Sequence, residues 1–295
     1  MPNEIIDSQF DSLLPPLKVN RRGFLVTSSA AIGYALATGP VQAQTAIKTP
    51  ADGLDIADIK VPTSDGREMP AYVAAPAARR RNATIIVVPE VFGMHEYQRD
   101  ICRRLAKAGY TALSLDPFFR MGDLSKMPDV KEVVGNANKL QDSVMLADLD
   151  SLVATIEKHP KANAAKLGIT GMCRGGRTVW MYSAHSKKIK AGVSWYGVIQ
   201  TVGGGTDTPI TVAPRLNAPV LGLYGGADAG IPNHMVAQMQ NALETGTPAS
   251  KASRFILYPN MPHAFHADYR PSYRKEAADD GWQRMLEWFR QHGVA

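Results

Sequence analysis

Gly171-Met172-Cys173-Arg174-Gly175-Gly176 decides how this chain folds. It follows a short apolar run, Lys166-Leu-Gly-Ile-Thr170, and precedes Val179, Trp180 and Tyr182 at helical spacing. The order is strand, tight turn, helix, with a cysteine at the apex where the nucleophile of G-x-S-x-G carries serine. The bend holds the apex residue in strained backbone geometry, and side chains two positions to either side would collide, so Gly171 and Gly175 are required. Cys173 then lies at a helix N-terminus, where the dipole favours an anion and a thiol of ordinary pKa about 8.5 can be lowered. The Arg174 N–H points into the same space as an oxyanion donor. The competing reading is a buried structural thiol. Cys102 fits that description: it stands beside Ile101 on an apolar helix face, with no glycines and no strand before it. Two cysteines cannot build a disulfide framework, and no Cys/His metal spacing occurs.

Outward from the bend, strand-like and helix-like segments alternate. Thr84-Ile-Ile-Val-Val88, Thr111-Ala-Leu-Ser-Leu115, Ala191-Gly-Val-Ser-Trp195, Pro219-Val-Leu-Gly-Leu223 and Arg254-Phe-Ile-Leu-Tyr258 are nearly continuous in hydrophobicity, as strands covered on both faces are. Between them Tyr97, Ile101, Leu105 and Ala108 share one helix face that Gly109 ends. Met145, Leu149, Leu152, Val153 and Ile156 share another, ended by Pro160. Ala278, Trp282, Met285, Leu286 and Phe289 form a third. This predicts an α/β fold with a mostly parallel sheet and helices on both faces. Ile56 to Val61 and Ala71 to Ala74 are separated only by the turn Ser64-Asp65-Gly66, and predict an antiparallel hairpin at the N-terminal edge. Val202-Gly-Gly-Gly-Thr206 matches no nucleotide-binding loop and reads as a surface loop.

The 295 residues are 45% hydrophobic and 20% charged, ordinary for a globular chain, with a net charge of +6. The dense basic run, Arg79-Arg80-Arg81, has no interleaved aromatics and reads as a solvated loop, not a nucleic-acid groove. The N-terminus is more specific. Asn20-Arg21-Arg22-Gly23-Phe24-Leu25 is a twin-arginine pattern, followed by an apolar stretch from Val26 to Leu36, Pro40 and the small-residue site Val41-Gln42-Ala43. That order predicts a Tat-type signal over residues 1–43 and a single mature domain over 44–295, periplasmic or secreted, with the Tat machinery as its export partner. The apolar run is too short to span a bilayer of about 30 Å, so no stable membrane insertion is expected after cleavage.

A cysteine nucleophile needs a base and an acid. In this architecture the order along the chain is nucleophile, acid, histidine, each on a loop after a strand. Asp228 follows Pro219 to Tyr224 in Gly225-Gly-Ala-Asp228, and His263 follows Phe255 to Tyr258 in Pro259-Asn-Met-Pro-His263. His266 is the rival base, and His95 can line the site. Glu90 ends the first long strand in Pro89-Glu90-Val-Phe-Gly93; desolvation there would raise its pKa, and a nearby thiol could share its proton. A helix N-terminal charge is its plainer reading. Arg120, in Asp116-Pro-Phe-Phe-Arg120, can fork onto a substrate carboxylate or pair with Asp116 or Asp123.

Together with Trp195-Tyr-Gly197 and His263-Ala-Phe265, these motifs make residues 55–292 resemble the dienelactone hydrolase (carboxymethylenebutenolidase) family, which has the α/β-hydrolase fold. The resemblance implies Cys173 as nucleophile, His263 as base and Asp228 as its orienting acid, acting on a small lactone or ester without metal or organic cofactor. It implies Glu90 as the carboxylate that holds the resting thiol, Val91 and Arg174 as oxyanion donors, and Arg120 and Tyr196 as substrate contacts. The family prototype carries a second substrate arginine four residues after the histidine; that position is Ala267 here, with Arg270 as the replacement from His266-Ala-Asp-Tyr-Arg270. The alternatives are an exported carboxylesterase without anionic preference, or a binding protein on the same scaffold.

Overall fold

The computed structural model describes residues 47–78, 81–199 and 206–295. The signal segment, Arg79, Arg80 and residues 202–205 of the glycine-rich loop lie outside the described residues. Eight strands form one sheet: β1 (Leu54–Pro62), β2 (Glu68–Pro76), β3 (Asn82–Val88), β4 (Thr111–Leu115), β5 (Ala162–Met172), β6 (Ile189–Trp195), β7 (Val220–Gly225) and β8 (Arg254–Tyr258). Their order is β1-β2-β4-β3-β5-β6-β7-β8. From β4 to β8 all neighbours are parallel, and β1 and β2 form the expected antiparallel hairpin at one edge. β5 begins before its apolar run because Ala162 and Asn163 pair with Asn82 and Ala83, ahead of a shift in register.

The helices include α1 (Glu96–Lys107), α2 (Val130–Ala137), α3 (Asp142–Lys158), α4 (Arg174–His185), α5 (Pro209–Val212), α6 (Asn233–Glu244), α7 (Pro248–Ala252) and α8 (Lys275–Gln291). Register places α4 and α8 on opposite faces of the sheet. Gly168 meets Phe289 of α8, whereas Gly192, which pairs with the next residue, Ile169, meets Val179 of α4. Adjacent strand residues point to opposite faces, so the sheet is covered on both sides. The inner strands β3, β4 and β7 are accordingly buried along their length, with no exposed residue. Among the described residues no helix is long and apolar enough to cross a membrane.

The parallel strands all end on one edge, and the loops that leave them carry Glu90, Cys173, Tyr196, Asp228 and His263. Pairing of Val88 with Gly171 and of Met172 with Trp195 brings the ends of β3, β5 and β6 level there. Ligands bind at this edge in open α/β sheets.

A Cβ on Gly175 would lie 2.1 Å from the Val88 carbonyl oxygen, whereas one on Gly135, in α2, would meet nothing within 4 Å. Gly175→Ala is expected to destabilise the domain by about 3 kcal/mol or more, the upper range for overpacking against backbone that cannot yield. Gly135→Ala should instead stabilise it by about 0.5–1 kcal/mol through helix propensity. Urea unfolding of both variants checks the contrast, and equal effects would contradict it.

Candidate active site

Cys173 adopts φ 53° and ψ −115°, between the end of β5 and the first turn of α4. Its N–H donates to the Trp195 carbonyl and its carbonyl accepts from Arg177 N–H, both at 3.0 Å. A Cβ on Gly171 would lie 2.5 Å from the Gly175 carbonyl oxygen, so neither glycine flanking the cysteine tolerates a side chain. The strain falls on a residue that is only 5% exposed. Cys102 is fully buried in α1, and burial pushes its thiol up; both thiols are free.

The loops after β7 and β8 are tied to each other by Gly226 N–H to Tyr258 O at 2.8 Å and Ala227 N–H to Met261 O at 3.1 Å. That brings Asp228 onto His263. The Nδ1–H of His263 donates to Asp228 Oδ2 at 2.7 Å, and both side chains are buried. A carboxylate only accepts, so the other ring nitrogen, Nε2, is the free one. Nε2 is buried without a hydrogen-bond partner, yet Cys173 is close enough to act on the ring. Burial lowers the imidazole pKa, but Asp228 and Cys173 outweigh it and raise it to about 10. His266 does not take this role. Its Nδ1 meets the Tyr97 hydroxyl at 2.6 Å, and burial, with Arg104 nearby, lowers its pKa to about 3.

Glu90 departs from expectation. Burial raises its carboxyl, but His95, Arg270 and His263 more than offset this and leave it below the usual range. Its Oε1 lies 3.3 Å from His95 Nε2, and Oε2 has no hydrogen-bond partner. The expected raised pKa is therefore corrected, because sequence does not show three basic groups converging on one buried carboxylate. Val91 follows Glu90 at the same strand end. The Arg174 N–H sits at the first position of α4, where a helix offers it no internal partner.

The two arginines have different fates. Arg120 forks onto Asp148 of α3 at 2.7 and 2.8 Å, and its Nε donates to Asp65 of the β1–β2 turn at 2.8 Å. This corrects the pairing expected with Asp116 or Asp123: three of the five guanidinium N–H donors, the fork among them, are committed to carboxylates far along the chain. Arg270 does reach the pocket, where its charge acts on Glu90. Its guanidinium lies 4.7 Å over the Phe92 ring and 4.9 Å over the Tyr269 ring, and its Nη2 is buried without a hydrogen-bond partner. Ala267 is buried in the turn that carries the loop to Arg270.

Tyr196, at φ 38°, is buried with its ring edge-on to His263 at 5.0 Å between centroids. Sequence reasoning missed Tyr97, Tyr269 and Phe92. Tyr97 was hidden by its place on an apolar helix face; Tyr269 and Phe92, each next to a quoted residue, were legible only as neighbours. Among the described residues no three His, Cys, Asp or Glu side chains gather as a metal site.

The dienelactone hydrolase family model matches residues 69–293. A protein described as "Putative carboxymethylenebutenolidase" from Methylorubrum extorquens is 47% identical, covering 98% of this chain and 99% of its own length. One with the same description from Salmonella typhimurium is 45% identical, covering 91% of this chain and 98% of its own. A crystal structure described as a "Putative Dienelactone Hydrolase" from Klebsiella pneumoniae has a TM-score of 0.76 at 42% identity, covering 81% of this chain and 99% of that one. Fold, matched span and relatives agree, and the chain belongs to the dienelactone hydrolase family of α/β-hydrolases, enzymes that hydrolyse esters and lactones.

Proposed function

We propose that this enzyme opens lactones or cleaves esters through Cys173, with His263 as base and acid and Asp228 as the orienting carboxylate. The observation that carries this is the buried, unpartnered Nε2 of His263, aligned by Asp228 and bearing on a sulfur held at the bend. The thiolate adds to the carbonyl carbon, and the N–H groups of Val91 and Arg174 receive the oxyanion. The C–O bond breaks and His263 protonates the leaving oxygen. His263 then takes a proton from water, hydroxide adds to the thioester, and sulfur leaves with its electron pair. Arg270, gripped by two rings and with Nη2 unspent, supports an anionic substrate, its fork meeting a carboxylate. Glu90 serves by fixing His95 and balancing Arg270. Residues 1–43 act as a Tat signal, so the mature enzyme of residues 44–295 works in the periplasm or outside the cell.

Cys173→Ala should lower kcat for an anionic lactone and for a neutral aryl ester by about 10³-fold or more, with folding intact. Arg270→Met should raise KM for the anionic substrate by about 10- to 100-fold and change the neutral ester little. Equal effects on both substrates would favour the carboxylesterase alternative.

The pKa of His263 stands above its ordinary 6.5, so the stability given by its pairing is complete below about pH 6.5 and fades as pH climbs toward 10. The gap in melting temperature between wild type and Asp228→Asn should therefore narrow from about pH 6 to about pH 9.5. A gap that widens would contradict the assignment.

Replacing Arg21 and Arg22 together by lysine should retain the full-length protein in the cytoplasm, as cell fractionation and immunoblotting would show. Unimpaired export would remove the Tat reading.

A further inference from the structure

Tyr196 combines two costly features. It is a non-glycine residue in the left-handed region, and its hydroxyl is buried without a hydrogen-bond partner. Neither feature aids folding, and the ring stands against His263. The Tyr97 hydroxyl lies beyond it, near enough to act on that of Tyr196 though outside hydrogen-bond geometry. Tyr97 is itself fully buried, and its hydroxyl and His266 Nδ1 are 2.6 Å apart. His266 also lines a surface cavity of about 310 Å³, with Trp282, Tyr273 and Arg104 among its walls. Its depressed pKa keeps the ring neutral. With Nδ1 accepting from Tyr97, Nε2 carries the hydrogen.

We propose that Tyr196, Tyr97 and His266 form a proton path that drains the catalytic pocket into the cavity beside Trp282. The inference rests on the reading of Cys173 and His263 given above. Hydrolysis at neutral pH releases one proton per turnover. In deacylation His263 keeps one proton of the attacking water, and the new carboxylic acid carries the other on its O–H. His263 is no exit, because Asp228 and Cys173 hold its proton. Glu90 is a poor acceptor, because its basic neighbours outweigh burial and favour its ionised form. The product O–H therefore gives its proton to the Tyr196 oxygen once the Tyr196 hydroxyl has turned onto the Tyr97 oxygen and can pass its own along. Tyr97 passes its proton to His266 Nδ1 as His266 gives its Nε2–H to water in the cavity, so the ring stays neutral throughout. Product leaves as carboxylate, one proton reaches solvent, and no electrons change hands. Hydroxyl rotation and return of the imidazole tautomer reset the path. Tyr97 and His266 touch no substrate and act through Tyr196.

The test uses 4-nitrophenyl acetate and two variants. Tyr97→Phe removes the middle hydroxyl. His266→Gln keeps an acceptor for Tyr97 but cannot pass a proton across a ring. Acylation, read as the nitrophenolate burst, should stay within about threefold of wild type in both, while steady-state turnover falls about tenfold or more. The wild-type proton inventory in mixed H₂O and D₂O should be curved, reporting several protons in flight, and should become linear in both variants. The double variant should be no slower than the slower single one. A burst and a steady state that fall together would mark a structural role and overturn the path. So would unchanged turnover, a linear wild-type inventory, or curvature that survives either substitution. Turnover that persists in Cys173→Ala would instead remove the nucleophile itself, a failure separate from these.

Discussion

The Val88 carbonyl oxygen occupies the place that a side chain at position 175 would need, and the architecture of the pocket depends on that contact. It presses the first turn of α4 against the end of β3, so the strand that leads into Glu90 and Val91 is held against the turn that presents Cys173. One steric constraint thus sets the nucleophile, the adjacent carboxylate and both candidate oxyanion N–H groups relative to one another. The strain at Cys173 persists because neighbouring strands over-determine it: β6 accepts its N–H, and pairing with β3 fixes the level at which β5 ends.

Charge is arranged in the pocket with the same economy. Asp228 and Glu90 are both buried, and each faces an imidazole, His263 for one and His95 for the other. Buried charges persist only when paired, so loss of the His263 imidazole would leave Asp228 without its partner, whereas Glu90 would still face Arg270. Arg270 is held differently. Two aromatic faces support its guanidinium, and its Nη2 remains unspent. Arg120 shows the opposite case: its fork is closed on Asp148 and its Nε on Asp65, which commits three of its five N–H donors. Aromatic rings do the remaining positioning. Tyr97 and Tyr269 pack on His95, and Tyr196 packs on His263, so the polar groups of the site stand among aromatic rings that fix their orientation.

The order of elements was legible because it is written in local periodicity. β4 and β8 fall on their apolar runs to the residue, and α1 and α3 follow the faces marked by Tyr97 and Met145. Asp228 and His263 were legible for a related reason: each comes a few residues after a strand, and parallel strands deliver their ends to a common edge. His263 and His266 could be ranked from sequence by distance from the strand, but only the fold shows Asp228 bonded to one and Tyr97 to the other. Arg120 was misjudged because its partners, Asp65 and Asp148, lie far away along the chain.

The sequence by itself determined the bend at Cys173, the alternating layers and the order of the groups that gather around them, since these follow from glycine sterics and short-range hydrophobic patterning. Tertiary structure alone decided the charge state of Glu90, the ion pairs of Arg120 and the orphaned hydroxyl of Tyr196. Each of these depends on which distant side chains share a buried space, and a local pattern carries no information about distances across the sheet.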